Sequence, residues 1–536
     1  MKRMKKGQFL SNSLSHPALL FLFCISMHRY AVLILSYFFV IIPLCQAHPP
    51  ADSLGIQRLQ TTMTQLQTSP LVRNGTAALS VRRARDGGVL LDFNARMSLP
   101  SASTLKLVTT ATALAVLGDN YTFGTILEHD GTIRDSVLNG NLYIRGSGDP
   151  TLGSNRFAEF ADAPTLLRTW TEMVHSAGIK HIRGSVIGDA SVIQSLPVPN
   201  TWVWGDMGNY YGAGVCGLNF NENMYRAVFK PAKSVGQPAG LLRTEPATPF
   251  LRFQNNVRTG PTGSGDEVII YNAPFSPQVF LEGTVPAGMN VFGVKGSLPD
   301  PAFFTAFALQ EQLTRAGISI NSLPQSIGPG RLPEPGTTEA PAQVPAAKRT
   351  PLHLHTSVPL AEVVRLTNHQ SINLYAESLL ILAGNALAKA PVTTDQALQQ
   401  LTRFWQGKGV DLTGFRPKDG SGLSPVGALT AANLSGILAV MTKEKSFLPF
   451  YDSIPVVGES GTVKNLGRGT AAAGNIHAKS GTIEGVRAYA GYATSADGEL
   501  LSFTVLVNKY NPGSLKGVMG FLEQIMTQLT TLKVNE

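Results

Sequence analysis

Apolar strand patterns split between the two ends of the chain constrain its fold more than any other feature. Near the start, "TAALSVRRARDGGVLLDFNA" (Thr76 to Ala95) reads as a hairpin with Asp86-Gly87 at its turn. Near the end, "IHAKSGTI", "VRAYAGYA" and "LLSFTVLVN" read as three strands, separated by Glu484-Gly485 and by Ala496-Asp497-Gly498. An amphipathic helix precedes the first hairpin (Leu54, Ile56, Leu59, Met63, Leu66), and another follows the last strand (Val518, Phe521, Leu522, Ile525, Met526, Leu529). Strands at both ends, each flanked by a helix, imply one sheet closed by the two termini and covered by helices. Everything between must leave that sheet and return to it.

The middle of the chain has its own internal echo. "LLRTWTEMVHSAGIKHIRGSVIGD" and "FFTAFALQEQLTRAGISINSL" are each a helix that ends in Ala-Gly-Ile and runs into a strand. Between them, short β-like runs punctuated by Gly and Pro fill the stretch from about Trp202 to Asn290. The economical reading is a nested insertion. Residues 48–125 and 355–536 form one domain, 126–204 and 290–321 a second, and 205–289 a third inside the second. Residues 322–354, rich in Pro, Gly and Ala, make the connection back.

The chain has 536 residues and a formal charge of +9. Five of its 44 basic residues and none of its acidic ones fall in the first 47, leaving 39 against 35 in the remainder. So weak a bias makes no case for nucleic acid. Those first residues read as a targeting segment: a basic flank, an apolar run from Ala31 to Leu44, and Cys45-Gln46-Ala47 as a small-x-small cleavage site. The run is shorter than the roughly 20 residues of a spanning helix, and bulky Leu44 argues against a lipid-modified Cys45. A start at Met27 would leave a compact signal peptide. Cleavage after Ala47 leaves Cys216 as the only cysteine, which excludes an intrachain disulfide and a cysteine-rich metal site. The expected location is outside the cytoplasm, in the periplasm, with loose membrane attachment left open.

Three short motifs carry chemistry. "LPSASTLKLVTT" (Leu99 to Thr110) opens a helix, with Pro100 and Ser101 as its start, Ser101 as N-cap and Gly118 as its stop. Ser103 and Lys106, three residues apart, share a face of it. "SINL" (Ser371 to Leu374) opens a second helical stretch, and "KSGT" (Lys479 to Thr482) lies on the first of the C-terminal strands. Alone, each motif is a helix start, an N-cap or a turn. In this order they resemble the S-x-x-K, S-D-N, K-T-G set of penicillin-binding proteins and class A β-lactamases.

With the surrounding "IRGSGDPTLG", "SVIGDASV", "NHQSINLYAESLL", "DGSGLS" and "HAKSGTIEGVRAYAGY", the chain resembles the D-alanyl-D-alanine carboxypeptidase/endopeptidase family of penicillin-binding protein 4, peptidase family S13. The likeness runs from about residue 75 to 510. It implies an α/β (α+β) fold with a β-lactamase/transpeptidase-like domain, an antiparallel sheet flanked by helices, and large nested insertions. Two positions depart from the family pattern: Ile372 stands where Asp is common, and Ser480 where Thr is common.

The residue types suit the chemistry. A serine hydroxyl needs a base within hydrogen-bond reach, and Lys106 serves only if burial and a neighbouring positive charge, such as Lys479, depress its pKa. The resemblance implies that Ser371 relays a proton between Lys106 and the leaving amine and that Asn373 holds the peptide amide of the acyl side. Lys479, Ser480 and Thr482 would bind the terminal carboxylate, and the backbone N–H groups of Ser103 and Thr482 would form the oxyanion hole. The implied substrates are peptidoglycan stem peptides, with β-lactams as acylating mimics, no cofactor and no metal. A homodimer is left open.

Two rival functions follow from the same residues. A β-lactamase of class A deacylates with a glutamate between the second and third motifs, and from Ser378 to Lys443 there is none. A penicillin-binding wall sensor would need a dead site, yet all the chemical residues are present. Other candidates are weaker. Asp149 in "GSGDPTLG" is a turn residue or a contact to the substrate's diamino acid. Asp419 in "DGSGLS" shapes a turn at the cleft edge. His353 and His355 have metal-like spacing without further ligands, and Trp202, Trp204, Tyr210 and Tyr211 either line a groove or pack the insertion.

Overall fold

The N-terminal hairpin and the three C-terminal strands form one antiparallel sheet. Its order is Ile476–Ile483, Val486–Thr494, Leu500–Asn508, Thr76–Arg83, Val89–Phe93. The computed structural model describes residues 53–329 and 348–534. The targeting segment and residues 330–347 of the expected connection lie outside the described residues.

Side chains alternate across a strand, so a sheet covered on both faces reads as nearly continuous apolar sequence. Leu501, Phe503, Val505 and Val507 of the middle strand face the helices Ser53–Thr68 and Leu515–Thr530 with Leu79 and Val81. Ala78, Leu506, Ala488 and Ala490 face the other way, onto a core shared with Val108, Ala111, Leu374 and Leu438. The serine-bearing segment lies on that second face, against the helix Asn373–Ala388.

The start of the serine helix differs from expectation. Ala102–Leu105 is a 3-10 turn, and the α-helix proper is Lys106–Leu117, ending as expected at Gly118 with φ 83°. Ser101 makes no cap; its hydroxyl turns to the Ala102 carbonyl at 3.3 Å. The reason is a left-handed Ala102 (φ 45°), a conformation that leaves Ser103 on a tight turn rather than in a regular first helical turn. Two glycines let the backbone crowd this turn. A Cβ on Gly422 would lie 2.0 Å from the Ala102 carbonyl oxygen, and one on Gly481 2.5 Å from that of Ser101.

The insertion folds around its own core, with Trp170, Phe220, Phe229, Phe304 and Leu309 at its centre. The echoing helices are Ala163–Ser176 and Pro301–Arg315, each capped by an aspartate (Asp162, Asp300) with Pro in its first turn. Each ends before a left-handed glycine, Gly178 or Gly317. They lead into His181–Ile182 and Ser319–Ile320, which pair in parallel. The echo in the sequence is thus a repeated unit in space.

Two strands cross the expected boundaries. Thr350–Thr356 pairs with Gly124–His129 at the edge of a five-stranded sheet with Leu142–Arg145, Val186–Asp189 and Gln325–Ile327. Pro351 is tolerated because an edge strand has one unpaired side, so residues read as connection are sheet on either side of 330–347. Likewise Phe292–Ser297 pairs with Met224–Lys230, which ties it to the innermost segment. No described helix is long and apolar enough to cross a membrane.

Candidate active site

Lys106 is 0% exposed and its ammonium nitrogen has three partners: Ser103 Oγ at 2.9 Å, Asn373 Oδ1 at 2.6 Å and the Ser421 carbonyl at 2.8 Å. The Asn373 amide is oriented by its other end, which donates to the Tyr211 carbonyl at 2.7 Å. Two of the three partners of Lys106 can therefore only accept. A neutral amine has two N–H donors and one lone pair. With the donors on Asn373 and Ser421, the lone pair is left facing the one partner that can donate, the hydroxyl of Ser103.

Burial pushes Lys106 down to about 7, against the opposing pull of the Asp419 and Glu377 carboxylates. Burial is the dominant cause. The two lysines also repel one another, and burial and then the Lys106 charge hold Lys479 well below the usual lysine range. Lys479 is also 0% exposed and donates to Ser371 Oγ at 2.9 Å and to the Ser480 carbonyl at 2.8 Å.

Ser371 and Asn373 straddle a break between two helices. Ser371 ends Leu360–Gln370 in a left-handed conformation (φ 59°), and Asn373 starts the next helix. The break aims one side chain at each lysine: Asn373 at Lys106, Ser371 at Lys479. Ser371 makes its bond to Lys479 rather than to Lys106. Ile372 between them packs on the apolar core.

Ser480 donates to Thr462 at 2.7 Å, and the Thr482 hydroxyl accepts from Arg487. Ile476–Ile483 is the edge strand of its sheet, and Ala478 N–H points outward to the Pro455 carbonyl at 2.8 Å. By the period of two, Thr482 N–H points the same way. Gly481 brings this strand to the serine turn, where a Cβ would stand 3.2 Å from Ser103 N. The edge strand and the serine turn thus lie side by side.

Some singled-out residues lie elsewhere. Asp149 is 2% exposed, its Oδ1 takes the Thr151 N–H and hydroxyl at 2.8 and 2.6 Å, and its Oδ2 has no partner among the described residues. Burial raises it to about 6, and none of its bonds reach the lysines. Asp419 accepts from Gly422 N, Ser424 N and Trp202 Nε1, so it closes its own loop and pins the insertion to it. Trp202 is buried, whereas Trp204, Tyr210 and Tyr211 are exposed. Among the described residues no three His, Cys, Asp or Glu side chains are grouped to hold a metal.

Three contributors went unread in the sequence: Arg487, Glu222 and Glu377. Arg487 sits directly across from Thr482 in the hairpin, a register the Glu484-Gly485 turn already implied. Glu377 lies four residues after Asn373, on the same helix face. Glu222 has no local signal. Its Oε1 accepts from Ser154 at 2.7 Å, Arg156 at 2.5 Å and Tyr375 at 2.9 Å, joining the insertion to the second-motif helix. Replacing Glu222 by Ala strands a buried hydroxyl and a half-buried guanidinium. The expected loss is roughly 2–3 kcal/mol in thermal or denaturant unfolding; a loss under roughly 0.5 kcal/mol would contradict the network.

A family model described as D-Ala-D-Ala carboxypeptidase 3 (S13) matches residues 59–529. The chain belongs to this family. It is an enzyme of the serine-type D-Ala-D-Ala carboxypeptidase class. A D-alanyl-D-alanine carboxypeptidase of an Actinomadura species is 28% identical, over 86% of this chain and 83% of the relative. One from Haemophilus influenzae is 24% identical, over 84% of this chain and 88% of the relative. The crystal structure of penicillin binding protein 4 from Haemophilus influenzae superposes with a TM-score of 0.72 at 22% identity, over 88% of this chain and 99% of that one. That superposition carries the fold, a transpeptidase-like domain with inserted domains.

Proposed function

We propose that the chain is an exported hydrolase of peptidoglycan stem peptides that works through an acyl-enzyme on Ser103. Its substrates are D-Ala-D-Ala ends, for release of D-Ala, and the corresponding cross-links, for endopeptidase cleavage. The observation that carries this is the donor arithmetic at Lys106, whose neutral form has its lone pair only for Ser103.

Lys106 takes the Ser103 proton as Oγ bonds to the carbonyl carbon of the penultimate D-Ala. The carbonyl oxygen becomes an oxyanion facing the N–H groups of Ser103 and Thr482. Collapse breaks the peptide C–N bond, and the proton that Lys106 took from Ser103 passes through Ser371, itself held by Lys479, to the leaving amine. Lys479, Ser480 and Thr482, with Arg487 behind Thr482, form the cationic and hydroxyl-bearing end that receives the terminal carboxylate. Asn373 holds the amide of the acyl side. Water then adds to the acyl carbon, returns Ser103 and releases the shortened peptide. A β-lactam enters by the same first step, and its ring opens without a group leaving.

The test is mass spectrometry of the protein truncated before His48, after incubation with benzylpenicillin. A penicilloyl adduct on the peptide holding Ser103 is expected, and its persistence separates a penicillin target from a β-lactamase. A folded sample with no adduct would favour a wall-binding sensor.

A further inference from the structure

Adjacent strands of the insertion set their charges in one cross-strand row. Glu245 of Gly240–Glu245, Arg226 of Met224–Lys230 and Lys295 of Phe292–Ser297 are register partners. Arg226 therefore has a lysine directly opposite it, an arrangement that costs a sheet stability. Glu245 does little to offset this, because it is held by Arg243 at 2.6 Å and lies 3.6 Å from Arg226. Lys295 has the ring face of Tyr210 near it, 5.6 Å from the centroid, and no ion pair joins it to a carboxylate among the described residues. Gly293 makes room for the row, since any side chain there would collide with the Arg226 guanidinium.

The row lines a cavity of about 300 Å³ together with Arg156 and Glu222. Glu222 is already taken by Arg156, Ser154 and Tyr375, so Arg156, Arg226, Arg243 and Lys295 share only Glu222 and Glu245. The cavity adjoins the second motif. Arg156 donates to Gln370, the residue before Ser371. Tyr375, bonded to Glu222, lies on the helix that Asn373 opens. Tyr210, under Lys295, precedes the Tyr211 whose carbonyl orients Asn373. A stem peptide whose acyl side passes Asn373 therefore runs past a cation-rich cavity.

We propose that this cavity is a subsite for a free carboxylate of the substrate: an acidic residue of the stem peptide, further along the acyl side than the amide Asn373 holds, sets its carboxylate on Lys295 and Arg226. The proposal rests on the active-serine reading above, and it makes the enzyme selective for stem peptides whose acidic residue is not amidated. A bound carboxylate turns the opposed pair of cations into an alternating row, which is the source of the attraction. A local rule of sheet pairing is broken here, at a place where the charge has a use. Arg156, spent on Glu222 and Gln370, holds the wall of the cavity.

The deciding quantity is the ratio of kcat/KM for D-Ala release from a pair of peptides that end in D-Ala-D-Ala and differ only in whether the acidic residue carries a carboxylate or a carboxamide. The wild type is expected to favour the carboxylate peptide by about fivefold at low salt, and by less at high salt, where exposed charges are screened. In Lys295→Gln the preference is expected to fall below about twofold, and in Lys295→Glu to reverse. Neither variant is expected to melt below the wild type, because each ends the like-charge pairing with Arg226. A wild type without the preference, or a Lys295→Gln or Lys295→Glu variant that keeps it, overturns the subsite. A preference lost together with a lowered melting temperature overturns it too, since Lys295 is then spent on the fold. If the wild type forms no penicilloyl adduct and releases no D-Ala from either peptide, the active-serine reading fails and takes this proposal with it. An adduct in a wild type that shows no preference removes only the subsite.

Discussion

Replacing Lys106 by Ala is expected to slow acylation of Ser103 by about 10³-fold while the protein still folds cooperatively, because a positioned general base contributes about 10²–10⁴. The side chain does three things at once, and alanine ends all of them. It leaves Ser103 without an acceptor, and it frees Asn373 and the Ser421 carbonyl from their shared donor. Folding is less affected, since the buried carbonyl it orphans costs about 1–3 kcal/mol and a buried ammonium disappears with it. The wild type carries a second signature. Lys106 sits at about 7, so acylation falls about tenfold per unit below that pH, where the lysine is protonated and its lone pair gone. The alanine variant loses that limb along with the rate. Benzylpenicillin acylation rates against pH, measured on both, check this. A variant within about tenfold of the wild type would remove Lys106 as the base.

The sheet was legible because its central strands are buried on both faces and its hairpins are punctuated by Asp-Gly and Glu-Gly turns, and the helices because Leu59, Met63 and Leu66, or Val518, Leu522 and Ile525, recur at helical spacing. The Ser103/Lys106 pair was legible as a spacing but not as a shape. A serine after proline signals an N-cap, whereas the turn is held by tertiary crowding from Gly422 and Gly481, distant in sequence. Thr350–Thr356 was hidden by its composition, since a prolyl segment beside Pro-Ala-rich sequence reads as connection until its edge partner, Gly124–His129, is known. Glu377 and Arg487 were within reach of simple periodicity. Glu222 was not: its three partners come from two distant segments, and nothing local to a glutamate marks it as their meeting point.

The cost of building this site falls on the second lysine. Replacing Lys479 by Met is expected to lower turnover of a D-Ala-D-Ala peptide by roughly a hundredfold and to raise stability near neutral pH by roughly 2 kcal/mol. The activity loss follows from removing the amine that holds Ser371 and, in the proposed mechanism, receives the substrate carboxylate. The stability gain follows from the direction of its shift. Burial and Lys106 hold Lys479 well below its ordinary range, so the unfolded chain binds a proton that the native state resists. Wild-type stability attributable to this residue therefore rises with pH between the lowered native value and the ordinary lysine value, and below that window its cost is complete. The methionine variant has no such group, so its advantage is largest at neutral and lower pH and shrinks towards the ordinary lysine range. Denaturant unfolding at two pH values reads this directly, and the raised tyrosines Tyr225 and Tyr492 confine the measurement to the region below their ionisation. A methionine variant less stable than the wild type at neutral pH would mean that the Ser371 and Ser480 bonds outweigh the burial of charge, and that the site is a support for the fold rather than a strain upon it.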